Sequence, residues 1–137
     1  MIANQNFEEL LRGHGLRATP QRTMVLEALT RLSHPDADAV YGYAQSRFSS
    51  MSLATVYNVL DKLRQVGLIV MLDLHGRRYF DLRVEPHDHV RCRHCGNLAD
   101  VARDPATRLV MPSVASWVID DQELVWEGLC PNCRQAQ

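Results

Sequence analysis

The sequence predicts an α+β protein whose two halves are organised differently. In the first half, apolar residues recur every three or four positions, as in amphipathic helices, and two short segments then flank a glycine turn. In the second half, the only four cysteines of the chain form two Cys-x-x-Cys pairs. A chain of 137 residues can form one compact domain or two small ones. We therefore expect helices and a hairpin first, and a unit organised by cysteines after them.

Sequence signals mark the starts of four helices in the first half. The first helix is predicted to begin near Phe7. Thr19 precedes Pro20, which places an N-cap residue before a proline at the first helical position. The third and fourth helices are predicted to begin at Asp36 and Ser52, whose side chains are suited to capping.

The fourth helix is predicted to have one buried and one exposed face. Its buried stripe is expected to consist of Leu53, Val56, Leu60 and Leu63. The opposite face offers short or hydrogen-bonding side chains, at Ala54, Thr55, Asn58 and Lys62. A helix that enters the major groove of DNA needs such a face, because small residues allow approach and polar tips contact base edges or phosphates.

Two short segments around a glycine turn follow that helix. Leu68–Met71 and Arg77–Phe80 flank a turn at His75-Gly76, and this pattern predicts two strands of a β-hairpin. A hairpin directly after such a helix would form the wing of a helix-turn-helix domain. Periodicity alone leaves an ordinary helical domain as the alternative.

Charge and hydropathy restrict the classes of partner. The formal net charge of −1 argues against a general polyanion binder. Residues 1–82 carry nine Lys and Arg against eight Asp and Glu, and the remainder carries six against eight, so a nucleic-acid surface belongs in the first half. No apolar run reaches membrane-spanning length, and no signal peptide precedes the domain. We expect a cytoplasmic protein that does not enter a membrane.

The cysteine spacing predicts a structural zinc site. Cys92 and Cys95 form the first pair, and Cys130 and Cys133 form the second. Each pair lets one tight turn aim two thiolates at a single ion, and four thiolates leave no open position for water. Two disulfides and a redox Cys-x-x-Cys motif are the alternatives. A reducing compartment disfavours the first, and the second does not explain why there are two pairs.

A His-x-His sequence lies near the junction of the two halves. Alternate residues of a strand point to the same face, so His87 and His89 can bind one ion. Two solvated histidines are the alternative for such a short motif. His34, Asp81 and Asp100 are further candidate donors.

Three separated motifs occur in order along the chain: Arg17 to Arg22 (RATPQR), Ser52 to Leu60 (SLATVYNVL) and His87 to Gly96 (HDHVRCRHCG). In these motifs the chain resembles the ferric-uptake-regulator (Fur) superfamily, from about Phe7 to Cys133. The resemblance implies a winged-helix DNA-binding domain over residues 1–82, a hinge over 83–86, and an α/β dimerisation domain over 87–137 that carries the four-cysteine zinc. It also implies a homodimer that binds double-stranded operator DNA.

The resemblance implies functional residues at matching positions. The regulatory metal site falls on His34, Asp81, His87, His89 and Asp100, a donor set that suits iron(II) or manganese(II). The DNA contacts fall on Arg17, Ser52, Ala54, Thr55, Tyr57 and Asn58. Asn58 departs from family members that have arginine at this position. Tyr57 adjoins the apolar stripe, so packing inside the domain is its alternative role.

Three positions favour the peroxide-sensing PerR branch of the superfamily. Asp100 replaces the glutamate that is typical of iron-uptake members. Pro86 and Gln122 occupy positions where those members often carry histidines of an additional metal site. In the PerR branch, peroxide leads to oxidation of two ligand histidines, which correspond to His34 and His87, and repression is lost. An iron- or manganese-uptake regulator without peroxide sensing is the alternative.

Two other functional classes are alternatives to a regulator. A metallohydrolase would need a substrate cleft and a general base, and a redox protein would need free thiols of low pKa. We expect a regulator and not an enzyme. Trp117 and Trp126 are expected in a dimer core, and a helix interrupted by Pro112 is expected over 105–117.

Overall fold

A computed structural model of the chain describes residues 6–104 and 112–135. It divides into two compact units, Met1–Val84 and Glu85–Gln137, and the division falls within the predicted hinge segment. Among the described residues, no helix is long and apolar enough to cross a membrane. The helix predicted over 105–117 lies partly outside the described residues, and residues 112–117 contain only a turn at Ala115 and Ser116.

Four helices form most of the first unit. They are α1 (Phe7–Gly13), α2 (Pro20–Arg31), α3 (Ala37–Arg47) and α4 (Leu53–Gln65). The N-caps predicted at Thr19 and Ser52 are confirmed, and Asp36, where the third helix is predicted to begin, is the N-cap of α3. Each of these side chains accepts a hydrogen bond from a backbone N–H three residues later. These side chains satisfy N–H groups that have no partner within the helix, which fixes where each helix begins.

The core of the first unit lies between its helices. The buried face of α4 consists of Val56, Val59, Leu60 and Leu63, each at most 8% exposed. The prediction that Leu53 belongs to this stripe is wrong, since Leu53 is 36% exposed. Leu53 has a suitable angular position, but it is the first residue of the helix, where the core only partly covers that face. Val59 completes the stripe instead.

An antiparallel hairpin closes the first unit. It consists of β1 (Val70–Leu74) and β2 (Arg77–Asp81), with Val70 opposite Asp81. His75 and Gly76 both have positive φ, 53° and 79°, as a two-residue type I′ turn requires. The first strand begins two residues later than predicted. Leu68 and Ile69 are at most 4% exposed and belong to the helical core, which leaves pairing to the residues that follow.

The second unit is a small three-stranded sheet with a short helix. The strand order is β4-β3-β5, in which β3 (Asp88–Cys92) runs antiparallel to β4 (Leu98–Val101) and parallel to β5 (Val125–Gly128). The helix α5 (Pro131–Gln135) follows β5. Among the described residues of this unit, only Cys92 and Leu98 are buried hydrophobic residues. Such a core is too small to stabilise a unit of this size without further links.

The stability of the first unit should depend on the buried face of α4. We expect Leu60→Ala to lower the free energy of unfolding by about 3 kcal/mol, because Leu60 is fully buried and its truncation leaves a cavity. Leu53→Ala in the same helix is the matched control and should cost about 1 kcal/mol or less. Urea unfolding followed by far-ultraviolet circular dichroism measures both values. Equal losses for the two variants would contradict this account of the core.

Candidate metal centres and nucleic-acid surface

The local fold of the second unit brings its four cysteines together. Cys92 ends β3, and a tight turn carries the chain to Cys95, with the Gly96 N–H donating to the Cys92 carbonyl at 2.9 Å. Cys130 lies just before α5, and Cys133 lies inside it. The two pairs meet because β3 and β5 are parallel neighbours, so that both strands deliver their carboxyl ends to the same edge of the sheet.

The sulfur atoms have the spacing of a tetrahedral metal site. One sulfur from each of the four cysteines lies within 4.8 Å of all the others, and the Cys95 and Cys130 sulfurs are 3.7 Å apart. A zinc ion with zinc–sulfur bonds of about 2.3 Å would separate neighbouring sulfurs by about 3.8 Å. All four cysteines are free thiols and not disulfides.

The four thiols lie so close together that they cannot easily all become thiolates. Backbone N–H groups of Cys130 and Cys95 lower the pKa of Cys92 to about 5, so this residue is readily a thiolate. The side-chain hydrogen bond with Cys130 raises the pKa of Cys133 to about 12. Four thiolates therefore require a cation to offset their mutual repulsion, and a divalent ion fits this cluster.

A second group of donors lies in the same unit. His87 directly precedes β3, His89 lies within it, and Asp100 on β4 is the cross-strand partner of His89. The Nε2 atoms of His87 and His89 lie 3.1 Å and 3.6 Å from the same oxygen, Oδ1 of Asp100. The two imidazole rings are 4.6 Å apart at their centroids, and both histidines are buried.

The surroundings of His87 select its tautomer. Its Nδ1 lies 2.7 Å from the Glu85 carbonyl, so a proton on Nδ1 donates to that oxygen and leaves the Nε2 lone pair directed at Asp100. A histidine held in this way is oriented for metal binding through Nε2. Ligands about 2.1 Å from an ion lie about 3.0 Å apart in an octahedron and about 3.4 Å apart in a tetrahedron, so these donors fit a divalent ion.

The first unit contributes its own histidine and carboxylate. His34 Nε2 lies 3.7 Å from Asp81 Oδ2, and the His34 Nδ1 is 3.1 Å from the Ser33 hydroxyl. His34 has a positive φ of 46°, which a residue with a side chain adopts only when neighbouring contacts hold it. One such contact is the Phe80 N–H, which donates to the Pro35 carbonyl at 2.9 Å and joins this loop to β2.

The exposed face of α4 presents the residues predicted for DNA contact. Ala54 and Asn58 are exposed, and Tyr57 is 44% exposed, so its alternative role inside the domain is wrong. Ser52 is also exposed, but its hydroxyl caps α4 and lies 2.8 Å from the Thr55 hydroxyl. Contact between any of these residues and DNA stays a prediction. Arg17, in the loop before α2, is likewise exposed.

Two side chains that are not among the predicted donors lie beside these centres. His94 Nδ1 lies 3.4 Å from the Cys133 sulfur, as a hydrogen-bonding neighbour and not as a member of the four-cysteine cluster. Asp88, between the two donor histidines, is only 6% exposed and binds Arg103. A charged residue in the middle of a short motif resembles a solvated one, and its partner lies 15 positions away, so no local signal identifies the pair.

A family model and the similar known proteins indicate the same family for this chain. The family model for the ferric uptake regulator family matches residues 13–119. The chain is 33% identical over 137 residues to transcriptional regulator FurA of Mycobacterium tuberculosis, covering 97% of this chain and 93% of that one. It is 34% identical over 136 residues to the peroxide operon regulator of Bacillus subtilis, covering 94% and 92%.

A solved structure extends the similarity to the fold. A zinc-bound manganese uptake regulator superposes with a TM-score of 0.72 at 25% identity, covering 92% of this chain and 99% of that one. Both the family model and the relatives span most of the sequence, and the mixed helix and sheet fold agrees with them. The chain therefore belongs to the ferric uptake regulator family of metal-responsive transcriptional regulators.

Proposed function

We propose that this protein is a dimeric, metal-dependent repressor that binds operator DNA with its first unit and dimerises through its second. The observation that carries the proposal is the convergence of His87, His89 and Asp100 on one point of the sheet, in a member of this family. These donors lie in the same small unit as the four cysteines, so metal binding and the fold of that unit are physically connected.

We assign a structural role to zinc at Cys92, Cys95, Cys130 and Cys133. The described part of the second unit buries two hydrophobic residues, so links between its strands must come from elsewhere. Four zinc–sulfur bonds would tie the end of β3 to α5 and compensate for the small core. With every thiol committed in this way, none is left for the regulatory site.

We propose that one regulatory ion is held by His34 and Asp81 of the first unit together with His87, His89 and Asp100 of the second. Neither set alone supplies the four to six ligands that such ions take, whereas the five together supply three nitrogens and two carboxylates. This mixed set suits iron(II) or manganese(II) better than a thiolate-preferring ion.

Shared ligands would couple metal binding to DNA binding. An ion held by both units fixes the angle between them and, through the dimer, the separation of the two α4 helices near one DNA turn, about 34 Å. Without the ion, the segment 83–86 would allow many angles. The operator affinity would then fall in proportion to the fraction of molecules in the competent arrangement.

The surface of the first unit supports the DNA-binding role. The α4 face with Ala54, Tyr57 and Asn58 would enter the major groove, and the β1–β2 hairpin would serve as the wing. Thr55 and Ser52 would act at the start of the helix, whose N–H groups favour phosphate, and Arg17 would reach the adjacent minor groove.

The second unit supports dimerisation. Its exposed apolar residues include Trp117 at 74%, Val118 at 90% and Trp126 at 52% exposure. Trp126 lies on β5, an edge strand of the three-stranded sheet. An exposed tryptophan on the edge strand of the described sheet, with further exposed apolar residues in the same unit, is suited to burial against a second copy of the chain.

We further propose that this repressor senses peroxide. Asp100 is the residue typical of the PerR branch, and the Bacillus subtilis relative is a peroxide operon regulator. Bound iron(II) would supply the redox chemistry by which hydrogen peroxide transfers one oxygen atom to a ligand imidazole, while its other oxygen leaves as water. His34 and His87 would be the side chains that gain oxygen, and a modified imidazole would no longer hold the ion. The alternative is a manganese- or iron-uptake regulator, and the fold similarity to a manganese uptake regulator is the observation that supports it.

Removal of zinc should unfold the second unit and dissociate the dimer. We expect Cys130→Ser to lose most bound zinc and to elute as a monomer, because three thiolates cannot close the tetrahedron. His94→Ala is the matched control, since it alters the same cluster without removing a ligand. Metal analysis and size-exclusion chromatography provide the two measurements. A Cys130→Ser protein with full zinc content would contradict the structural role.

The donor residues should control operator affinity through the metal. We expect His89→Ala to lower manganese-dependent operator affinity by about tenfold or more, because the fraction of competent molecules falls. His14→Ala is the control, as His14 is exposed at the end of α1. Anaerobic gel-shift titrations with and without manganese measure the effect. If His89→Ala binds DNA as tightly as the parent protein in manganese, the regulatory site is wrongly assigned.

Peroxide should release DNA from the iron form alone. We expect the iron(II) protein to lose operator binding after peroxide treatment, while the manganese(II) and zinc(II) forms keep it. Peptide mass spectrometry should then show an added oxygen atom on the His34 and His87 peptides. Equal resistance of all three forms would favour the uptake regulator. DNA release with both peptides unchanged would exclude histidine oxidation as the mechanism.

A further inference from the structure

Asp88 has a different environment from the histidines on either side. The alternation of a β-strand places its side chain on the opposite face of β3 from His87 and His89. Its side chain is 9% exposed, so its charge is nearly removed from water. A buried carboxylate is costly unless a cation or several donors neutralise it.

Arg103 supplies that neutralisation and reaches two further groups. Its Nε donates to Asp88 Oδ1 at 3.1 Å, and its NH1 group donates to Asp121 Oδ1 at 3.4 Å. Its NH2 group donates to the backbone carbonyl of Gln122. The Asp88 carboxylate also accepts the Leu124 N–H at 3.4 Å. We call these contacts the Asp88–Arg103 clamp.

The clamp joins all three strands at one end of the sheet. Asp88 begins β3, Arg103 lies two residues beyond β4, and residues 121–124 lead into β5. In the same region the His89 N–H donates to the Leu124 carbonyl at 3.1 Å. The ends that the clamp joins are those that carry the donors His87, His89 and Asp100.

We infer that the Asp88–Arg103 clamp positions the histidine and carboxylate donors of the regulatory metal site, although neither clamp residue binds the ion. This inference rests on the proposed metal site. Asp88 fixes the register and tilt of β3, and Arg103 fixes the end of β4 relative to it. The distances from His87 and His89 to Asp100 depend on both strands.

A positioning role for Arg103 can be distinguished from a purely electrostatic effect of its charge. The guanidinium repels a cation bound in the same unit, so a substitution that removes the Arg103 charge would strengthen metal binding if electrostatics alone acted. Loss of a positioning contact would weaken it. The two explanations thus predict changes in opposite directions for the same substitution.

Arginine is suited to this position for a geometric reason. Its planar group presents five N–H donors in a fixed fork, and three of its nitrogens donate here to three different residues. Lysine would keep the positive charge but could not hold all three acceptors in the same arrangement. Arg103→Lys therefore tests the donor geometry of the guanidinium separately from its positive charge.

The test uses the full-length, zinc-loaded protein and manganese(II) as the probe. Titration followed by electron paramagnetic resonance of free manganese gives the dissociation constant. We expect Arg103→Gln to weaken manganese binding by about tenfold, the lower end of the effect of outer contacts on metal sites, and Arg103→Lys to restore only part of it. Arg91→Gln is the matched control, because Arg91 pairs with Glu127 across the same sheet at 3.5 Å and should leave the affinity unchanged.

Hydrogen exchange of the zinc-loaded protein without manganese supplies a second readout. Protection of the Leu124 and His89 amides should decrease in Arg103→Gln, with zinc content unchanged, and should not decrease in Arg91→Gln. Unchanged or tighter manganese binding by Arg103→Gln would overturn the clamp while leaving the metal site intact. If the parent protein binds no manganese, or if His89→Ala binds it equally well, the proposed site fails and the inference fails with it.

Discussion

The second unit has four sulfur atoms that lie close together, and holding all of them as thiolates would require a cation between them. Its described residues bury Cys92 and Leu98 as their only hydrophobic side chains, and so hydrophobic burial cannot hold three strands and a helix together. The cysteine cluster lies at one end of the sheet and the Asp88–Arg103 clamp at the other. Polar and metal-binding contacts therefore occupy both ends, and the donors His87, His89 and Asp100 lie at the clamped end.

The first unit is stabilised by different forces. Its helices bury a continuous apolar core, and capping side chains fix their ends without any ion. Its proposed metal donors, His34 and Asp81, are not part of this core and lie on a loop and at the end of a strand. In the proposed mechanism an ion can therefore bind or leave without unfolding the DNA-binding unit, which a reversible regulator requires. The helical core and the proposed metal donors of the first unit are therefore separate groups of residues.

Local signals predicted the parts of the structure that local chemistry determines. The caps at Thr19, Asp36 and Ser52, the turn at His75-Gly76 and the spacing of the cysteines each depend on a few neighbouring residues. Leu53 and the start of β1 were mispredicted because burial depends on which segments cover a position, and periodicity does not contain that information. The contact between Asp88 and Arg103 joins positions 15 residues apart, and no local sequence pattern indicates it.

In this sheet, the length of the side chain at position 100 determines where its carboxylate can lie. Asp100 is paired directly with His89 across the antiparallel strands, so its carboxylate has a short and well-defined reach. One of its oxygens already lies 3.1 Å from His87 Nε2 and 3.6 Å from His89 Nε2. A glutamate in this register would have to fold back to place an oxygen at the same point. The single methylene between aspartate and glutamate therefore sets how close to the sheet the proposed ion would have to lie.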